Sequence, residues 1–245
     1  MVLFLKKEEI ESWLFELILR RDILGYYEAE VRELAGLCKN QSEFSLLKHI
    51  LEKVVIVNET QLQSAIERMA EGIKSQLKED QKAAIVAMAW DDSPDSSQQL
   101  LQRLKVQFHS WKNIKFFNRV PSYVKPSVMK EFSTFILIDD FTGTGSTVLS
   151  RMNYVMKAGA GSGINLDGRI NLLFGINEAL INIKNSYTNL TCVYSLPKGL
   201  SGHFSGEQLT DNISHMKRLE EELAASIDGN QLPSLGYGGA EALFA

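Results

Sequence analysis

Phe135-Ile136-Leu137-Ile138-Asp139-Asp140-Phe141-Thr142-Gly143-Thr144-Gly145-Ser146-Thr147 is the stretch on which the reading of this chain turns. The four apolar residues from Phe135 to Ile138 predict a strand buried on both faces, as at the centre of a parallel sheet. Two carboxylates follow at its C-terminal end, the edge at which open α/β sheets hold their ligands. Gly and hydroxyl residues then lead into a helix, and backbone N–H groups, hydroxyls and a helix N-terminus together cradle phosphate. A ligand with phosphate at one end and hydroxyls or a metal at the other describes a sugar phosphate. No Lys follows Gly145, which excludes a Walker A loop, and Val148 stands where a dinucleotide fingerprint needs its third Gly. The plain alternative is a strand–turn–helix corner in which Asp and Thr only cap.

Outward from this stretch, strands and helices alternate. Residues 83–89 predict a first strand. A turn over 91–97 follows, then a helix capped by Ser96 or Ser97 that buries Leu100, Leu101 and Leu104. Residues 114–117 predict a second strand, and a connection containing Pro121 and Pro126 leads to the central one. The next helix carries Val148, Met152, Val155 and Met156 on one side and ends at Gly159, Gly161 and Gly163. Residues 170–176 and 190–194 supply two more strands, with a helix over 178–184 between them. This order means right-handed crossovers and an α/β fold: a parallel sheet of about five strands flanked by helices.

Residues 7–80 read as helices. Ile10, Trp13, Leu14, Leu17 and Ile18 share one face, and Leu62, Ile66, Met69 and Ile73 recur at helical spacing after a cap at Glu59-Thr60. Val54 to Val57 is either a short strand or the end of the preceding helix. After residue 194 a Gly/Ser-rich loop over 197–206 precedes a helix with Leu209, Ile213, Met216, Leu219 and Leu223 on one face and His215 on the exposed side. The chain closes on Leu243-Phe244-Ala245, expected either to be buried or to mark a truncation. The expected division is a helical region 1–80, an α/β core 81–200, and a C-terminal loop and helix 201–245 packing on that core.

With 44% apolar and 23% charged residues over 245 positions, the chain has an ordinary globular composition, so disorder is not expected. A net charge of −4 argues against a broad nucleic-acid surface. A helix-turn-helix in the N-terminal part meets the same objection, since Glu67, Glu71, Glu79 and Asp80 would face phosphates; a packed bundle is the better reading. The longest apolar run, residues 83–90, is far short of the ~20 residues that cross a bilayer. Residues 1–6 have too short an apolar core for a secretory signal. Cys38 and Cys192 match no zinc spacing and fit a reduced, cytoplasmic protein. His49, His109 and His203 suggest no metal site.

The central segment resembles the signature for 5-phosphoribosyl-1-pyrophosphate (PRPP) of type I phosphoribosyltransferases: four hydrophobics, Asp-Asp, two hydrophobics, then Thr-Thr-Gly-x-Thr. Thr142 departs from it at the second apolar place and Gly143 at the first Thr. The resemblance implies that Asp139 and Asp140 are the catalytic pair that holds the ribose hydroxyls. It implies that Thr142, Gly143, Thr144, Gly145, Ser146 and Thr147 form the loop around the 5′-phosphate. The element order agrees with the core of that family. By position, the turn over 91–97, with Ser93, Ser96 and Ser97, would meet pyrophosphate, and residues 118–130, with Arg119, Lys125 and Lys130, would form the mobile catalytic loop. The whole chain also resembles the phosphoribosyltransferase-like domains of bacterial conflict and anti-phage gene clusters, the PRTase-CE type. That wider likeness is carried by Tyr26-Tyr27-Glu28-Ala29-Glu30, the diverged core, and Gly236-Tyr237-Gly238-Gly239 with Glu241.

The turn over 91–97 has three aspartates and no base, although a leaving pyrophosphate is normally met by Mg²⁺, Lys, Arg or backbone amides. Asp92 and Asp95 either hold Mg²⁺, which in turn holds pyrophosphate, or repel the donor and leave a nucleoside monophosphate as the ligand. Three functions remain open. They are a Mg²⁺-dependent phosphoribosyltransferase, a nucleotide-hydrolysing effector of a defence system, and a binding-only sensor or scaffold. The partners expected are a phosphorylated ribose, a second copy of the chain or a defence-system protein, with neither membrane nor nucleic acid among them.

Overall fold

The computed structural model describes residues 7–78, 80–223, 226–227 and 230–244. Residues 1–6, Glu79 and Ala245, on which parts of the sequence reading rest, lie outside them. Helices α1 (Lys7–Arg20), α2 (Glu28–Leu37), α3 (Gln41–Lys53) and α4 (Glu59–Ser75) come first, with a 3-10 turn at Asp22–Tyr27. The alternating part runs β1 (Ala83–Ala87), α5 (Ser96–Val106), β2 (Ile114–Phe117), α6 (Val120–Tyr123) and α7 (Pro126–Glu131). It continues through β3 (Thr134–Thr142), α8 (Ser146–Gly161), β4 (Asp167–Ile176), α9 (Asn177–Ser186) and β5 (Leu190–Leu196). Helix α10 (Gly206–Leu223) and the antiparallel pair β6 (Ser226–Ile227) and β7 (Asn230–Gln231) come last. No helix of the described residues is long and apolar enough to cross a membrane.

Two compact units result: Val57–Pro197, and Met1–Ile56 together with Lys198–Ala245. The first unit carries the sheet, five parallel strands in the order β2-β1-β3-β4-β5. Strand β1 is apolar throughout, and β3 is apolar from Phe135 to Ile138, because both faces of the sheet are covered there. Every residue of β1 is buried, and Phe135 to Ile138 of β3 have no exposed surface. Val148, Met152 and Val155 of α8 share a core with Phe135, Leu137, Ile170 and Leu172, while α4 and α5 pack on the sheet and on each other. Helix α4 is capped one residue before the expected place: Asn58, with Gln61, forms a reciprocal capping box.

The connection from β2 to β3 differs from the open loop expected there. It folds into α6 and α7, each with a Pro in its first turn, where the missing N–H costs nothing. Val120, Tyr123 and Met129 are buried, and the Tyr123 hydroxyl donates to the Phe132 carbonyl at 2.8 Å. Three buried side chains and a buried hydrogen bond anchor this segment. Tyr123 is ringed by Phe117 and Phe135, and burial pushes its phenol well above the ordinary tyrosine range.

In the second unit, Leu219 of α10 shares a core with Ile10, Ala35, Phe44 and Leu47. Arg218 clamps the buried Glu43 carboxylate with two hydrogen bonds of 2.6 Å. His215, expected on the exposed side, is half-buried with Nδ1 3.7 Å from Glu43 Oε1. The Val54–Val57 stretch makes no strand; one parallel bridge joins Val55 to Phe244, with the Val55 N–H donating to the Leu243 carbonyl at 2.9 Å. Glu241, at φ 50°, folds back to accept hydrogen bonds from the Leu200 N–H at 3.1 Å and the Ser201 N–H at 2.7 Å.

Candidate functional site

Strand β3 delivers Asp139 and Asp140 to the C-terminal edge of the sheet, between β1 and β4. Both are partly buried, in contrast to the four residues before them. The Asp140 N–H donates to Asp139 Oδ1 at 3.1 Å, so the pair is stiffened locally. Burial pushes the Asp139 carboxyl well above the usual range, and the carboxylates of Asp140 and Asp95 push it in the same direction. A hydroxyl donor or a cation brought to this corner relieves that repulsion.

The turn after β3 ends at Gly145, which has φ 80° and ψ −5° and stands at the N-terminus of α8. A side chain there would be strained by the left-handed backbone and would crowd Ile183 and the Ala179 carbonyl of α9. The conformation turns the chain sharply from strand to helix. Gly145 offers helix α8 no side-chain cap; the Ser146 N–H donates to the Thr144 hydroxyl at 3.4 Å, and the N–H groups that follow it remain for solvent or a ligand. The Thr144 and Ser146 hydroxyls stand 2.8 Å apart, and Thr147 lies exposed on the first turn. Gly143 is half-buried. Thr142 is buried opposite Gly175 of β4, inside the sheet edge and off the rim.

The β1–α5 turn is fastened to this corner at both ends. The Met88 N–H donates to the Ile138 carbonyl at 3.3 Å, and the Ser96 hydroxyl donates to Asp140 Oδ1 at 2.7 Å. Asp95, and neither Ser96 nor Ser97, caps α5: its carboxylate accepts from the Ser97 N–H at 2.8 Å. An ionised carboxylate there also suits the positive end of the helix. Ser97 is fully buried, accepting from the Ala89 N–H at 3.1 Å and donating to Asp95, so its hydroxyl ties the turn together. Ser93 gives its N–H to Asp91 at 2.9 Å.

The fold brings to this turn the bases that its own sequence lacks. Arg119, at the start of α6, pairs through Nη1 with Asp92 at 2.7 Å and is steadied by the Ser122 hydroxyl at 3.3 Å from Nε. Arg151 reaches over from α8, its Nε donating to the Met88 carbonyl at 3.2 Å. The Ser93 N–H holds the Asp91 carboxyl below its usual value, and both guanidinium groups add to that. Lys125 is exposed at the N-cap of α7, and its ammonium has no hydrogen bond or ion pair among the described residues. Arg151 escaped the sequence reading. The signal available for it was its spacing, four residues after Thr147 and therefore on the same helix face.

Among the described residues no three His, Cys, Asp or Glu side chains come together to hold a metal ion. Asp92 is paired with Arg119, and Asp95 is committed to capping α5. Mg²⁺ takes few protein ligands and keeps its waters and any substrate phosphates, so an ion arriving with a diphosphate needs only one or two nearby carboxylates. The crowded Asp139–Asp140 corner fits that need better than Asp92 or Asp95.

No curated protein matches the chain. The family model PRTase-CE matches residues 38–245, which include the whole sheet, the acidic pair, the Gly145 turn and the closing Glu241 segment. The chain belongs to the PRTase-CE family.

Proposed function

We propose that the corner at the end of β3 binds a 5-phosphorylated ribose, either PRPP or a nucleoside monophosphate, and that the protein acts on it as a phosphoribosyltransferase. The reading is supported above all by the partly buried Asp139–Asp140 pair, in which the Asp140 carboxylate pushes Asp139 up, standing beside the first turn of α8. The carboxylates accept hydrogen bonds from the ribose hydroxyls, and the N–H groups and hydroxyls of residues 143–147 hold the 5′-phosphate. Asp139 and Asp140 are the carboxylates that would hold a Mg²⁺ ion arriving with PRPP, and such an ion would offset the diphosphate charge. Arg119 and Arg151 flank the turn that the diphosphate reaches. As the bond from C1 of the ribose to the diphosphate breaks, positive charge develops on the ring, and the Asp139–Asp140 carboxylates stabilise it. The incoming nucleophile then takes the C1 position. A role in bacterial defence rests on the resemblance of the chain to conflict-system domains.

One observation favours a second reading, a protein that binds without turnover. The β2–β3 connection is anchored by Val120, Tyr123 and Met129, which leaves it poorly suited to close as a lid. Calorimetric titration with PRPP in Mg²⁺, together with an assay of pyrophosphate release over candidate bases, tests both. Binding with release supports the transferase, and binding without release supports the sensor. Binding that survives in the Asp139→Asn/Asp140→Asn double variant overturns the site itself.

A further inference from the structure

Trp90 stands in the β1–α5 turn with 40% of its surface exposed, although the turn is fastened at both ends. The guanidinium of Arg151 lies over the indole, 4.5 Å from its centroid, and the Tyr154 ring meets its edge at 4.8 Å and 72°. Tyr154 is itself 43% exposed. Thr147, Arg151 and Tyr154 recur at spacings of four and three, so they share one face of α8. From the exposed Thr147 at the phosphate end, Arg151 lies ~6 Å and Tyr154 ~10 Å along the helix. Arg151 also donates from Nε to the Met88 carbonyl, and its terminal N–H groups make no hydrogen bond or ion pair among the described residues. The indole is therefore backed by a cation and edged by a ring, with part of its surface open to solvent, in the turn that follows β1 next to the acidic end of β3.

We infer that Trp90, backed by Arg151 and edged by Tyr154, is a stacking platform for the planar heteroaromatic ring of a nucleotide. The inference rests on the reading that the end of β3 holds the ribose phosphate, and it names what lies beyond the ribose. An indole face offers a phosphate no donors, whereas a neutral planar ring needs none. A cation on the far face of Trp90 and a ring on the near one make a continuous stack, the arrangement by which aromatic side chains hold bases irrespective of their hydrogen-bonding edges.

Fluorescence titrations of the intact chain with AMP and with ribose 5-phosphate, on the wild type and on Trp90→Ala and Trp90→Phe, test this. The wild type should bind AMP at least tenfold more tightly than ribose 5-phosphate, the scale of base–aromatic stacking. Trp90→Ala should bring AMP down to the affinity of ribose 5-phosphate while leaving the latter unchanged, which also shows that the variant is folded. Trp90→Phe should keep most of the difference. An AMP preference that survives in Trp90→Ala, or no preference in the wild type, overturns the platform. Failure of the wild type to bind ribose 5-phosphate at all overturns the phosphate site beneath it, and the platform falls with that site.

Discussion

Replacing Gly145 by Ala isolates the backbone device on which the site is built. At φ 80° an L side chain carries a left-handed penalty of ~1–2 kcal/mol. The added Cβ would lie 3.0 Å from Ile183 Cγ1, 3.2 Å from the Ala179 carbonyl and 3.3 Å from Ile183 Cδ1. Overpacking against a buried neighbour adds ~1–3 kcal/mol. Gly145→Ala should therefore lower stability by about 2–5 kcal/mol, a large share of the ~5–15 kcal/mol that a domain has. Urea denaturation should show a lower midpoint with an unchanged slope. Combining it with Ile183→Ala removes two of the three close contacts and leaves both the backbone strain and the carbonyl contact. The pair should show a favourable coupling of roughly 1 kcal/mol, within the range for residues in contact. A Gly145→Ala protein within about 0.5 kcal/mol of wild type, the range of an ordinary surface change, would refute the reasoning. A ligand-binding defect in a Gly145 variant reports on the phosphate cradle only after this loss of stability has been measured.

Asp139→Asn should stabilise the protein near neutral pH while abolishing ligand binding. The folded-state carboxyl titrates above its ordinary value near 3.8, so the stability it carries is full below that value and is lost as pH rises towards the folded-state value. Urea midpoints for variant and wild type should diverge between acid and neutral pH, with the variant higher at the neutral end; a variant that is less stable at neutral pH contradicts this. Ser97→Ala should cost ~1–3 kcal/mol in the same assay, because the buried Ala89 N–H loses its acceptor. A change below about 0.5 kcal/mol would show that the hydroxyl does not hold the turn.

The parts of this molecule that were legible in its sequence depend on local pattern. Phe135 to Ile138 announce a central strand because a strand covered on both faces has no polar side to alternate with. The turn into α8 is equally visible, since Gly145 and the hydroxyls around it must lie where strand becomes helix. What escaped depends on long-range packing. Nothing near Arg151 shows that it crosses to Met88, and nothing near Val55 shows that it pairs with Phe244. Residues 118–130 look like an open loop because their two prolines break up any period, yet Val120, Tyr123 and Met129 bury them. The cap of α5 was misplaced by one residue or two because Asp95, Ser96 and Ser97 are all good caps, and only the fold reveals that Ser96 is drawn away to Asp140.

Melting curves of the intact chain with PRPP, in Mg²⁺ and in EDTA, test the central claim most directly. A ligand at a hundred times its Kd that binds only the folded state adds ~2.7 kcal/mol. For a chain of this size that is a rise in Tm of about 5–10 °C. PRPP should give this rise in Mg²⁺ and much less in EDTA, and the Asp139→Asn/Asp140→Asn double variant should give none. A Tm unmoved by PRPP or by ribose 5-phosphate, with or without Mg²⁺, would contradict the claim that the end of β3 binds a phosphorylated ribose.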